Sequence, residues 1–314
     1  MPAKWRKTLN HQAWIIFVVL VLAGCAAVGP DFVQLEAPLP DSWELKQDTG
    51  LKATPYELIE WWEVFNDPVL NQLVDVAHQQ NYSLELAGLR VLESRAQLGI
   101  AVGTQYPQQQ LASGGVTRIG PSENAGQGNT AFNQYDLGAS LAWEMDFWGK
   151  FRRGIETADA ALAASIANYN EAMVLVTAQV ASNYVTIRIL EEQLRIAYEN
   201  LKLQQRSYDI AEVLYRNGQD SELDVQQAKT LLLGTQATVP DLKTQLKLSQ
   251  NALNTLLGQT NGFVEDLIVK GPIPNVPEQV AVGIPADLLR RRPDLRQAEL
   301  QAVAQNAQVG VATA

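Results

Sequence analysis

The stretch IETADAALAASIANYNEAMVLVTAQVASNYVTIRILEEQLRIAYENLKLQQRSYDIAEVLYRN, Ile155–Asn217, decides the architecture. Its 63 residues lie between Gly154 and Gly218 and contain no glycine and no proline. As one helix it would extend about 95 Å at 1.5 Å per residue, far beyond an ordinary globular helix. Its apolar positions advance in alternating steps of four and three: Leu162, Ile166, Tyr169, Met173, Val176, Val180, Asn183, Ile187, Leu190, Leu194, Ala197, Leu201, Gln204, Tyr208, Ala211 and Tyr215. Only Asn183 and Gln204 are polar. A repeat averaging 3.5 residues keeps one face on a partner helix through left-handed supercoiling. The stretch predicts a slender rod with a partner, not short helices around a central core.

The partner is the returning arm. Arg216-Asn217-Gly218-Gln219-Asp220 breaks the helix, with Gly218 free to take the left-handed conformation that ends one. Ser221 is placed to cap a second helix, and Asp224 adds an acid to its first turn. The stripe resumes at Val225, Ala228, Leu232, Val239, Leu242, Leu246, Leu253 and Leu256, with Thr235 and Ser249 as polar steps. Pro240 is expected to kink or restart this arm. Residues 149–258 thus read as an antiparallel coiled-coil hairpin, and 259–293, rich in proline, as an irregular connection.

Upstream the period changes from helical to two. From Gln134 to Phe147, Tyr135, Leu137, Ala139, Leu141, Trp143, Met145 and Phe147 alternate with Gln134, Asp136, Gly138, Ser140, Ala142, Glu144 and Asp146. Period two puts the sets on opposite faces of a strand. A partner strand fits 109–119, joined through Gly120–Thr130, so 109–148 reads as a β-hairpin. A membrane-spanning barrel strand needs about 9–11 residues, apolar toward lipid and polar toward a lumen. That reading makes Gln134, Asp136, Ser140, Glu144 and Asp146 candidate lumen-facing residues, and Trp143, Phe147 and Trp148 an interfacial girdle. A half-buried soluble hairpin would show the same alternation. Before the hairpin, Asp67 can cap a helix with Pro68 at its first position, and the helical pattern covers 67–108. Residues 25–66, with Pro30, Pro38, Pro40 and Pro55, read as extended.

The N-terminus reads as an export leader, residues 1–24. Lys4, Arg6 and Lys7 precede an apolar core from Ala13 to Leu22, too short to span a bilayer comfortably. Leu22-Ala23-Gly24-Cys25 is similar to a lipobox, whose cysteine is acylated. Cys25 is therefore the candidate lipidation site, anchoring the chain through buried methylenes at about 0.8 kcal/mol each. Cys25 is also the chain's one cysteine, which excludes an internal disulfide and a cysteine metal cluster. The formal net charge is −10, and loss of the leader removes bases but no acid. Nucleic acid is thus a poor partner. With 46% hydrophobic residues and mean hydropathy −0.10, the chain is no polytopic helical membrane protein.

Catalytic and metal motifs are missing. His78 is the one histidine after the leader, and a lone helical histidine is usually a partly exposed surface residue. Glu144 and Asp146 could pass for a carboxylate dyad, but their shared strand face makes lumen-facing acids the simpler account. No nucleophile elbow or phosphate loop occurs. The reading is of a non-enzyme without cofactor or metal, apart from a covalent lipid.

A repeat organises the whole. Leu84, Ala87, Leu89, Ala96, Gln97, Gly99 and Ala101 recur, 211 positions later, as Leu295, Ala298, Leu300, Ala307, Gln308, Gly310 and Ala312. The matched Ala-Gln-apolar-Gly-apolar-Ala block favours duplication over chance periodicity. The second copy occupies 294–314 and stops mid-pattern. The expectation is a fragment or truncated product lacking a second strand pair and a second helical hairpin.

Four motifs in order carry a resemblance: Cys25-Ala-Ala-Val-Gly-Pro30-Asp31-Phe32; Trp61-Trp62 with Asp67-Pro68; Asp146-Phe147-Trp148-Gly149-Lys150; and Leu288-Leu289-Arg290-Arg291-Arg292-Pro293-Asp294-Leu295. Through them the chain resembles the outer membrane efflux protein family, in its lipoprotein branch. The resemblance implies a TolC-like fold, mainly α with transmembrane strands, in a homotrimer whose chains each give four strands to one barrel. It implies a passive duct through outer membrane lipid, extending into the periplasm and fed by an inner-membrane pump through an adaptor protein. It makes Arg216, Asn217, Gly218, Gln219, Ser221, Leu223 and Asp224 an adaptor-docking tip. With only six strands from three copies, such a duct would keep open edges, so this chain alone is expected not to conduct. The competing reading is a periplasmic coiled-coil adaptor or scaffold lipoprotein; the two separate at 109–147.

Overall fold

The structure, a computed structural model, describes residues 27–34, 51–52, 58–120, 130–275, 280–281 and 289–314. Cys25 and the leader lie outside the described residues. The described elements are a 3₁₀ segment Leu58–Phe65, helices α1 (Pro68–Gln80) and α2 (Tyr82–Gly103), strands β1 (Gln109–Ile119) and β2 (Phe132–Ala142), helices α3 (Lys150–Arg216), α4 (Glu222–Leu256), α5 (Phe263–Leu267) and α6 (Pro293–Thr313). Leu51–Lys52 pairs in parallel with Val280–Ala281. The chain divides into two units: Met1–Ala37, Arg90–Ala167 and Asp294–Ala314 form one, Pro38–Leu89 and Asn168–Pro293 the other.

In the second unit, α3 and α4 pack antiparallel along the predicted seam. Leu194, Ala197 and Val239 are buried together, flanked by Leu201, Leu242 and Leu246. All ten stripe positions of the returning arm are buried or half-buried, from Val225 to Leu256. Pro240 does not restart the helix; α4 continues through it. The carbonyl four residues earlier, on Gln236, loses its donor, but Gln236 is exposed, so water can replace that bond.

Toward the far end of this pair the core thickens. Leu70, Leu73, Val74 and Ala77 of α1 pack with Val180, Tyr184 and Ile187 of α3, and with Leu253, Leu257, Val264 and Ile268. Asp67 caps α1, accepting from Val69 N at 2.9 Å and Leu70 N at 3.3 Å, with Pro68 behind it. Trp62 of the 3₁₀ segment joins the same core, so the end of the region read as extended is folded. Likewise α5 interrupts the connection read as irregular. Asn254 organises it: the side-chain oxygen accepts from Val264 N at 3.0 Å, which seats Val264 in the core.

The continuous helix expected over 67–108 is broken at Asn81. This residue leaves helical geometry (φ −72°, ψ 120°), its side-chain oxygen accepts from Leu84 N at 3.0 Å, and its amide donates to Leu256 O at 2.7 Å. A local cap and a tertiary bond together outweigh the one helical hydrogen bond forgone. Gly258 ends the α4 arm against the same break, with φ +66°, and a Cβ there would collide with the Gln80 carbonyl. Gly258→Ala is expected to lower stability by about 2–3 kcal/mol through backbone strain and clash. Denaturant titration of the purified chain measures it.

A polar network crosses this core. The Tyr184 hydroxyl, fully buried, donates to Asp67 Oδ2 at 2.5 Å and accepts from Arg188 Nε at 3.0 Å and Nη2 at 2.9 Å. Arg188 also donates to Glu191 at 3.0 Å and to the Val269 carbonyl at 2.7 Å. Burial, with the bond to Asp67, pushes the Tyr184 phenol up to about 12, against the pull of Arg188. A raised phenol stabilises the fold fully below its unfolded value, about 10, and that contribution is lost as pH rises toward 12. The expected loss is at most about 2–3 kcal/mol between those pH values. Subtracting the Tyr184→Phe profile from the wild-type stability profile isolates it from the other tyrosines.

In the first unit, the buried face of α3 differs from the sequence reading. Arg153, Ala160, Ala164 and Ala167 are buried while Ile166 is 45% exposed. Small residues let neighbouring backbone approach closely. On α6, Ala304, Ala307 and Gly310 are buried too.

Candidate functional site

β1 and β2 form an antiparallel hairpin with Gln109 opposite Ala142 and Ile119 opposite Phe132. That register assembles two faces from residues that alternate along each strand. One carries Gln109, Ser113, Thr117, Gln134, Asp136 and Ser140, with Leu111 among them and Ile119 and Phe132 at its end. The other carries Ala112, Val116, Tyr135, Leu137, Ala139 and Leu141, with Gln110 at one end and Arg118 and Asn133 at the other. Every β2 residue is exposed, Leu137 at 94%. Each strand has 11 residues, about 36 Å long, and at a tilt near 40° this projects about 28 Å, enough for an outer-membrane apolar band. Asp136 lies across its partner strand, possible because Gly115 opposite has no side chain: a Cβ there would meet Asp136 Oδ2 at 2.5 Å.

Two of the five candidate lumen residues do not belong to the strand. Gln134, Asp136 and Ser140 lie on the polar face of β2, but Glu144 and Asp146 follow its end at Ala142. The partner strand can extend no further, since Pro107 has no N–H to give the ladder. Instead Gln108 closes the hairpin base: its side-chain oxygen accepts from Glu144 N at 2.8 Å and its amide donates to Glu144 O at 3.2 Å. Glu144 pairs with Lys150 at 3.4 Å. Asp146 accepts from Arg152 N at 2.9 Å and Nε at 3.3 Å, so it fastens the start of α3. Trp143, Phe147 and Trp148 stand exposed at this base. His78 is taken up structurally, bonded to Thr177 Oγ1 at 2.8 Å and edge-on to Trp62.

The turn between α3 and α4 is a Schellman closure. Gly218 has φ +70°, its N–H donates to Tyr215 O at 2.9 Å, and Gln219 N donates to Leu214 O at 2.9 Å. Ser221 caps α4: its hydroxyl accepts from Asp224 N at 3.3 Å and donates to Asp224 Oδ2 at 2.5 Å. The bond from the Ser221 hydroxyl holds the Asp224 carboxyl below its usual value. Arg216 is paired along its own helix with Glu212 at 2.7 Å. Asn217 and Gln219 are exposed, and Leu223 offers 64% of its surface to solvent. From Leu223 a shallow groove continues along α4 past Gln227, Thr230, Leu231 and Gly234. The tip thus collects Arg216, Asn217, Gly218, Gln219, Ser221, Leu223 and Asp224, with the turn closed by backbone and cap bonds and Leu223 exposed beside it.

A two-faced strand hairpin feeding a long antiparallel helical pair defines the class of TolC-like folds. The chain belongs to the outer membrane efflux protein family, whose profile matches residues 73–259. It is 32% identical over 300 residues to nodulation protein T of Rhizobium leguminosarum bv. trifolii, covering 95% of this chain and 63% of that protein. It is 30% identical to the probable outer membrane lipoprotein SilC of Salmonella typhimurium, covering 95% and 64%. The solved outer-membrane channel OprN superposes with a TM-score of 0.81 at 32% identity, over 92% of this chain and 64% of that one. The chain therefore spans less than two thirds of the length of these relatives. As a member of this family it is a protein of the outer membrane.

Sequence reading missed the Tyr184–Asp67–Arg188 network and Arg153. Tyr184, Arg188 and Arg153 are buried polar side chains inside a helical pattern, and helical periodicity scores such positions as neutral; Asp67 was legible as a cap but not as their partner.

Proposed function

We propose that the chain forms part of the outer membrane duct of a tripartite export system. Copies assemble as a homotrimer around one axis, with Leu137 and its neighbours toward lipid and Gln134, Asp136 and Ser140 toward the lumen. The α3–α4 arm extends into the periplasm, and its tip, Arg216 to Asp224, meets an adaptor protein that joins the duct to an inner-membrane pump. Leu223 supplies the apolar contact there, and the capped, closed turn holds it rigidly. The duct is passive: it requires no cofactor and performs no catalytic step, and selection of cargo rests with the pump. A lipid on Cys25 anchors each chain. The observation that carries the reading is the hairpin, apolar on one face, polar on the other, and exposed on both.

A soluble adaptor lipoprotein would not profit from an apolar face so fully exposed. External protease on intact cells tests the choice. Cleavage within residues 120–130 without permeabilisation is the expected result; cleavage only after the outer membrane is opened would place the hairpin in the periplasm and sink the duct.

A further inference from the structure

The Arg153 side chain, at the start of α3, is 7% exposed yet binds the chain segment just after Cys25. Its Nε donates to the Val28 carbonyl at 3.2 Å and its Nη2 to the Gly29 carbonyl at 3.1 Å. The guanidinium also reaches Asp31 Oδ1 at 2.7 Å and Glu156 Oε2 at 2.7 Å. The segment is gripped from other sides as well. Val28 N donates to Trp148 O at 3.0 Å, and Asn306 Nδ2 to Pro30 O at 2.8 Å. Two close approaches complete the seat. A Cβ on Gly310 would sit 2.7 Å from Arg153 Cγ, and one on Gly29 would sit 2.5 Å from Gly310 Cα. Gly99, the repeat counterpart of Gly310, has nothing within 4 Å of such an atom. The packing is therefore particular to this place and not a habit of the repeated helix.

A segment without secondary structure near a chain terminus normally frays. Here the consecutive carbonyls of residues 28, 29 and 30 are all bonded from outside the segment, and two of them by one planar fork that a lysine could not reproduce. We propose that Arg153 is a positioning residue for the lipid anchor: it straps residues 27–31 to the junction of hairpin and α3. The strap ends two residues from Cys25 and lies beside Trp148, so acyl chains on that cysteine enter the membrane at the foot of the hairpin, among Trp143, Phe147 and Trp148. The proposal rests on the lipoprotein reading and adds to it where the lipid is delivered.

The test uses the full chain, made with its own leader in a Gram-negative host. Isolated membranes are digested with a broad-specificity protease, and cleavage at residues 26–34 is followed by mass spectrometry. Arg153→Ala is expected to speed that cleavage by at least about tenfold, because proteolysis tracks local opening. Gly29→Val, which forces the strap off Gly310 with Arg153 intact, should do the same. Asp31→Asn, which leaves the carbonyl bonds in place, should change it less than about threefold. Cleavage within residues 180–187 of α3, whose Val180, Tyr184 and Ile187 are fully buried, reports general unfolding in the same samples; if Arg153→Ala unfolds, Gly29→Val decides alone. Wild-type cleavage rates in Gly29→Val would overturn the strap. Labelled palmitate is scored in parallel: label on Cys25 with no effect of either variant defeats the proposal alone, whereas no label defeats the anchor reading beneath it.

Discussion

Leu137→Arg is expected to remove the chain from the outer membrane as an assembled species, while Asp136→Arg, its neighbour at the same depth on the other face, leaves assembly in place. Leu137 is near the middle of β2 and 94% exposed. In a soluble hairpin so exposed a residue would tolerate arginine within about 0.5 kcal/mol. Facing lipid near the bilayer midplane, the same change costs about 2–4 kcal/mol, and three copies in one barrel would bear it three times, about 6–12 kcal/mol per assembly. Asp136 faces the lumen in this arrangement, and arginine there meets water. The readout is the fraction of chain that migrates as a heat-modifiable trimer after detergent extraction. Equal tolerance of the two substitutions would make the hairpin a soluble ornament and leave the duct without a wall.

Much of the architecture could be read from residues because its interactions repeat. The 3.5-residue stripe survives in the α3–α4 pair since each step buries the same kind of contact, and the hairpin strands announce themselves through alternation. The returning arm was legible for this reason, and the strand at 109–119 was placed as the partner that the alternating strand requires across the Gly120–Thr130 loop. What could not be read depends on single contacts between distant residues. Asn81 breaks a helix because Leu256, 175 positions away, offers it a carbonyl; locally it looks like one more tolerable helix residue. β2 ends at Ala142 because Gln108 occupies the place of the next ladder bonds, although the alternating pattern runs on to Phe147. In the first turns of α3, two stripes were available, Leu162 with Ile166 and Ala160 with Ala164. Hydrophobicity favours the first, but close backbone approach selects the second, and periodicity cannot see a neighbour. The candidate tip was legible as a turn with a cap. Its chemistry was not, since a glycine and a serine that close two helices look alike whether or not a partner docks there.

Arg188→Leu is expected to destabilise the second unit by about 3–5 kcal/mol, the range for removing one partner of a buried charged network. Leucine fills part of the volume but strands three acceptors: the Val269 carbonyl, the Glu191 carboxylate and the lone pairs of the Tyr184 hydroxyl. It also deletes a cation lying 5.0 Å from the Tyr184 ring centroid. Burial alone would lower the Arg188 pKa, but the bonds to Tyr184 and Glu191 outweigh it and raise it, so the cation persists. Arg188→Lys keeps the charge and loses the fork, for a smaller expected cost of about 1–2 kcal/mol. Tyr184→Phe should cost about 1–3 kcal/mol, since Asp67 keeps its cap bonds and loses only the phenol. The double variant should cost less than the sum of the singles by at least about 0.5 kcal/mol, because the two side chains share a bond. Urea titration of the detergent-solubilised chain, followed by helical circular dichroism, gives all four values. If Arg188→Leu fell within 1 kcal/mol of wild type while remaining folded, the network would be incidental, and the Asp67 cap and the apolar packing around Leu70 and Leu253 would hold α1 against the long helices unaided.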